Sequence, residues 1–112
     1  MTCNKNSTRY FSSRQEKRVA KAVKGRVVPN SGAIRFGAGD VRVDNWLLEC
    51  KTCTKPQSTF TMHKEWFDKN KEEAFAMGAD YNAVVFDFGD GEQFYAVDEN
   101  TFKLLLKATK EE

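Results

Sequence analysis

Two prolines, three cysteines and a single histidine are all this 112-residue chain has of those residue types, and each scarcity removes a class of protein. A proline-poor chain that is 40% hydrophobic and 12% aromatic, with nine phenylalanines, has material for a real core, which excludes disorder. Zinc sites need about four ligands. Cys50, Cys53 and His63 supply at most three unless Cys3 folds in. A thioredoxin-like CxxC pair normally opens a helix, whereas Cys50 follows the apolar run Trp46-Leu47-Leu48 and belongs in a strand; reduced, inert thiols are the expectation. No apolar run approaches the roughly 20 residues that span a bilayer. The N-terminal residues lack the apolar segment of a secretory signal, so the expected compartment is the cytoplasm, without membrane attachment. Internal repeats and low-complexity stretches are missing as well. Charge of one sign is nearly balanced, 18 Lys plus Arg against 16 Asp plus Glu, for a net of +2.

What is present is one domain's worth of chain, residues 1–112. A domain this small buries roughly 60 to 68% of the surface its unfolded chain exposes, so a partner subunit would be a useful extension of its core. Residues 1–11 read as a flexible polar arm. Ser12 or Ser13 is placed to cap a helix through about Lys24, with Gln15 or Glu16 three residues on as the capping-box partner. Its apolar stripe is thin: Val19, Ala22 and Val23. Gly25 ends that helix, Arg26-Val27-Val28 is extended, and Pro29 to Gly32 form a turn. Ala33 to Phe36 leads into Gly37-Ala38-Gly39.

Asp40 to Val43 alternates as a strand, Asp44-Asn45 is a turn signal, and Trp46 to Lys51 is the returning strand of a hairpin, expected to be central. Residues 61–77 suit a helix ending at Gly78, with Trp66, Phe67, Phe75 and Met77 as core or dimer surface. Residues 82–88 and 92–97 are strands around the Gly89-Asp90-Gly91 turn. Asp98 or Asn100 caps a final helix. The order α-β-β-β-α-β-β-α describes an α/β domain, a small mixed sheet covered by helices.

The chemistry concentrates in the hairpin. Strand alternation puts Glu49 and Lys51 on one face, and a turn at Asp44-Asn45 brings Asp40 near both. Carboxylates so placed suit a hard divalent cation, and an adjacent lysine suits an attacking water or the charge that builds on a phosphate. An ExK triplet alone is also an ordinary solvated ion pair. Its position after Trp46-Leu47-Leu48, in a strand expected to be buried, argues that these charges have partners or a metal.

Ser31-Gly32, Gly39-Asp40-Val41 and Leu48-Glu49-Cys50-Lys51, with Glu16 on a preceding helix, resemble the PD-(D/E)xK nuclease superfamily, most of all its archaeal-type Holliday junction resolvase branch. Gly39 stands where the family signature has proline. The resemblance spans roughly residues 12–97. It implies a restriction-endonuclease-like mixed central sheet flanked by helices. It also implies Mg²⁺, with Mn²⁺ as substitute, held by Asp40, Glu49 and Glu16; Lys51 as catalytic lysine; and Ser31 as an assisting hydroxyl near phosphate. The implied reaction is hydrolysis of DNA, at branched DNA such as four-way junctions, by a homodimer, because a junction is cut at paired sites.

Residues 5–35 hold nine basic residues (Lys5, Arg9, Arg14, Lys17, Arg18, Lys21, Lys24, Arg26, Arg35) against one acid, Glu16. Arg14, Lys17, Arg18 and Arg35 therefore make a candidate phosphate-contacting face, with Arg42 beside Asp40 and Lys55 in the loop after the ExK strand. The alternatives are a nicking or flap-type nuclease of the same superfamily and a non-catalytic nucleic-acid-binding module.

Overall fold

Alternating apolar residues and a two-residue turn force the hairpin into the expected register. The computed structural model describes residues 8–28 and 39–110. Its elements are α1 (Thr8–Val23), β1 (Arg26–Val28), β2 (Gly39–Val43), β3 (Trp46–Lys51), α2 (Lys64–Ala76), β4 (Tyr81–Phe86), β5 (Phe94–Ala96) and α3 (Glu99–Lys110), the element order expected from the sequence. Ser31, Arg35, Cys3 and the expected 33–36 segment lie outside the described residues.

The five strands form one mixed sheet in the order β1-β2-β3-β4-β5. β3 is its centre. All pairs are antiparallel except β3 with β4, which run parallel because α2 carries the chain back across the sheet. Asp44, with φ of 48°, makes the tight turn between β2 and β3.

Each face of the sheet has its own helix and its own apolar cluster. Val19 and Ala20 of α1 pack on Val41, Leu48, Cys50, Ala83 and Val85. On the opposite face Leu47 meets Ala74 of α2 and Ala79. Asn70 is fully buried in α2, and its Nδ2 donates to the carbonyls of Leu47 (3.3 Å) and Ala83 (3.1 Å), so one amide fastens the helix to both parallel strands. Losing a buried bond of this kind costs about 1–3 kcal/mol. Asn70→Ala is therefore expected to lower the unfolding free energy by about that much, read from urea denaturation with an unchanged m-value.

Several local expectations are corrected or narrowed. α1 starts at Thr8, so Thr8 to Phe11 are helical and not part of an arm, and Ser12 is buried inside the helix instead of capping it. The added turn is held by local contacts: the rings of Tyr10 and Phe11 meet edge-on at 5.2 Å, and the Arg14 guanidinium lies 5.6 Å from the Tyr10 ring centroid. Ala20 is buried where Ala22 was expected, because Val19 and Ala20 are the pair turned toward β2. Gly25 follows α1 where β2 comes closest; a Cβ there would sit 2.6 Å from the Arg42 carbonyl oxygen. Phe75 is 86% exposed, on the outer side of α2 from Asn70 and Ala74. Of the two expected caps of α3, Asp98 is the one used, its Oδ1 accepting from the Thr101 N–H at 2.8 Å.

α3 leaves Phe102, Leu104, Leu105 and Leu106 substantially exposed. Among the described residues no helix is long and apolar enough to cross a membrane.

Candidate metal centre

Asp40 on β2 and Glu49 on β3 are directly opposed across the hairpin, so their carboxylates project side by side on the α2 face of the sheet. Glu73, on the same side of α2 as Asn70 and Ala74, is the third member. One carboxylate oxygen from each of Asp40, Glu49 and Glu73 lies within 4.8 Å of the other two. Glu49 is buried, and the other two are half-buried.

Such a cluster is electrostatically expensive. The Asp40 carboxyl is pushed up to about 9, first by burial, then by the charge of Glu49 and a side-chain hydrogen bond with it, and further by Glu73 and Glu16. Even so, Asp40 Oδ1 is buried with no hydrogen-bond partner among the described residues. An orphaned carboxylate oxygen among crowded like charges fits a hard divalent cation, which would satisfy the oxygen and offset the repulsion. All three donors are carboxylate oxygens, a set that suits hard cations over softer metals.

Lys51 completes the arrangement. Its Nζ is 3.2 Å from Glu49 Oε2 and 4.7 Å from the centroid of the Trp66 ring, so one lysine is held between a buried carboxylate and an aromatic face. Trp66 is steadied in turn by Phe60, at 6.1 Å, and His63, at 4.7 Å between centroids. His63 is exposed at the N-cap position of α2, with no side-chain cap bond.

No family model, curated protein or solved structure matches this chain. The functional reading therefore rests on the residues themselves.

The structure brings Asp40, Glu49 and Lys51 together and adds Glu73 to them. Glu16 stands outside that tight group. It is half-buried on α1, where desolvation raises its carboxyl above the usual range against the opposing pull of Lys17, and its field reaches Asp40. Arg42 shares the Asp40 face, but its guanidinium is engaged at the far end of the hairpin, donating to the carbonyls of Asp44 (3.0 Å) and Met77 (3.3 Å). It closes the C-terminal end of α2 there, away from the carboxylates. Arg14, Lys17 and Arg18 are exposed along α1, and Lys55 is exposed in the loop after β3. Ser31 lies outside the described residues, as does Arg35.

Glu73 and Trp66 were missed from sequence. A signal existed: Trp66, Asn70, Glu73, Ala74 and Met77 follow helical spacing, so Asn70 and Glu73 are polar residues on an otherwise apolar stripe. Cys50 and Cys53 are free thiols. Burial drives the Cys50 thiol far above its ordinary value, which keeps it protonated and unreactive.

Proposed function

We propose that this protein is a divalent-metal-dependent endonuclease of restriction-endonuclease-like fold that hydrolyses DNA phosphodiester bonds. The observation that carries the reading is the convergence of Asp40, Glu49 and Glu73 around a carboxylate oxygen that has no partner among the described residues, with Lys51 at 3.2 Å from Glu49. Asp40, Glu49 and Glu73 would hold the ion, and Glu16 adds negative potential beside them. A Mg²⁺ or Mn²⁺ ion bound there would supply Lewis acidity and a water of lowered pKa. Lys51, kept in place by Glu49 and Trp66, carries the positive charge that stabilises negative charge developing on the scissile phosphate. Without the ion this acidic cluster offers the substrate's phosphates no compensating charge beyond Lys51, so cleavage depends on the ion. The exposed basic surface of α1, with Arg14, Lys17 and Arg18, supplies sequence-independent attraction to a nucleic-acid backbone.

Four-way junctions are the proposed preferred substrate, cut by a homodimer with one site per protomer. The exposed apolar residues of α3 suit a second copy: Glu99 at one end and Lys107 and Lys110 at the other give an antiparallel helix pair complementary charges. Light scattering should report twice the 12.8 kDa chain mass.

The deciding assay is cleavage of matched four-way junction, flap, linear duplex and single-stranded DNA with Mg²⁺ or Mn²⁺. Paired symmetric cuts in the junction alone support the resolvase form. Cutting of flaps or duplexes as well keeps a nuclease and removes junction specificity. No cutting of any substrate by folded, metal-supplied protein leaves a nucleic-acid-binding module.

A further inference from the structure

A second polar site lies on the α1 side of the sheet, at the C-terminal ends of the parallel strands β3 and β4, the edge at which open α/β sheets commonly bind ligands. Its centre is Gln15, which is 4% exposed. The Gln15 Nε2 group lies 2.8 Å from the Lys51 carbonyl, 3.2 Å from the Val85 carbonyl and 2.9 Å from Gln93 Oε1. Three acceptors around one amide nitrogen fix which way the amide faces, since turning it over would set oxygen against oxygen. Gln15 Oε1 is thereby committed to the other direction, where it is buried without a partner among the described residues.

The uncharged side chains beside it have their donors committed. Gln93 donates to Asp87 Oδ2 (2.7 Å) and to the Gly91 carbonyl (3.1 Å), and Thr52 donates to Asp87 Oδ1 (2.7 Å). Beside this network is a cavity of about 180 Å³, lined by Gln15, Phe11, Arg14 and Arg18 and also by Asp87 and Asp90, whose carboxylates accept from Thr52, Gln93 and the Gly89 and Glu92 N–H groups. One ordered water needs only about 10–15 Å³ of such space. Arg18 is steered toward the cavity by its bond to the Gly91 carbonyl, at 2.8 Å.

We infer that this cavity binds a single nucleotide whose base has left its stack. A hydrogen-bond donor on the base edge would satisfy Gln15 Oε1, Phe11 would flank the ring, and Arg14 and Arg18 would take the phosphate. The inference rests on the nucleic-acid reading of the neighbouring metal centre and deepens it. Thr52, which lines the cavity, follows the last residue of β3, Lys51, whose side chain projects to the α2 face; a nucleotide held here would lie across the C-terminal edge of β3 from that lysine and set the register of the strand being cut.

The test is titration of ¹⁵N-labelled, metal-free protein in EDTA with dAMP, and separately with inorganic phosphate and with deoxyadenosine. The Gln15 and Gln93 side-chain amides are followed by NMR. dAMP should shift the Gln15 amide saturably and bind at least tenfold more tightly than either fragment. Gln15→Leu should abolish that preference, and Arg14→Ala, on the exposed surface of α1, should weaken dAMP at least tenfold even if the buried substitution fails to fold. Equal shifts with phosphate alone would reduce the cavity to an anion site and overturn the proposal. So would the lack of any shift, which would leave the orphan oxygen to water. DNA cleavage without dAMP binding removes the pocket but keeps the nuclease; dAMP binding without any cleavage does the reverse.

Discussion

Lys51→Ala is expected to lower DNA cleavage by about a hundredfold to a thousandfold, the usual effect of deleting one group that stabilises transition-state charge. DNA affinity and bound metal should change little, because Lys51 is not one of the three clustered carboxylates and the basic surface of α1 remains. Loss of the Glu49 partner removes a bridge whose two side chains are 21% and 6% exposed, so a modest drop in stability should accompany the loss of activity. Lys51→Arg separates the two effects. Arginine keeps the charge but not the compact ammonium that fits between Glu49 and Trp66, so it should restore stability more than cleavage. Single-turnover cleavage with saturating enzyme checks this, and full activity in pure Lys51→Ala protein would remove the lysine from the mechanism.

Asp40→Asn should act in opposite directions on the metal-dependent and metal-free protein. Cleavage should fall by about a thousandfold or more, since several kcal/mol of metal-derived stabilisation are lost at about 1.4 kcal/mol per factor of ten. The metal-free fold, by contrast, should become more stable at pH 8. Asp40 is raised from 3.8 to about 9, so between those values the folded protein holds a proton that the unfolded chain has released. Its contribution is therefore full below about pH 4 and is lost as the pH rises toward 9, at up to about 1.4 kcal/mol per pH unit for one proton. Glu16, raised by burial, acts in the same direction. Wild-type protein in EDTA should thus melt at progressively lower temperature from pH 5 to pH 9. Asp40→Asn should flatten that slope, and adding Mg²⁺ to wild type should reverse it by favouring the ionised carboxylates. A wild-type melting temperature independent of pH over that range would contradict the account of the cluster.

How far the sequence alone reveals this molecule depends on whether local or tertiary rules decide each feature. The Asp40–Glu49 pairing was legible because two-residue periodicity and a two-residue turn leave one register that buries Val41, Leu48 and Cys50 together. The element order was legible for the same reason, since every strand and helix carries its own period. Glu73 was not, because its membership depends on where α2 docks across β3 and β4, which Asn70 and Ala74 decide. The start of α1 was misplaced because Ser12 and Ser13 have the chemistry of caps, while the aromatic pair Tyr10 and Phe11 and the stacked Arg14 favour another turn. Arg42 shares a face with Asp40, but its long side chain reaches the end of α2, a destination that strand alternation does not specify.

The central claim, a divalent-cation site built by Asp40, Glu49 and Glu73, is tested most directly by titrating EDTA-stripped protein with Mn²⁺ and following free Mn²⁺ by electron paramagnetic resonance, with Asp40→Asn and Glu73→Gln alongside. Saturable binding to wild type, with uptake of protons by the buffer at pH 7, weakened at least tenfold in Glu73→Gln and abolished in Asp40→Asn, is the predicted result. Mn²⁺ binding that is absent from wild type, or equally strong in all three proteins, would contradict it.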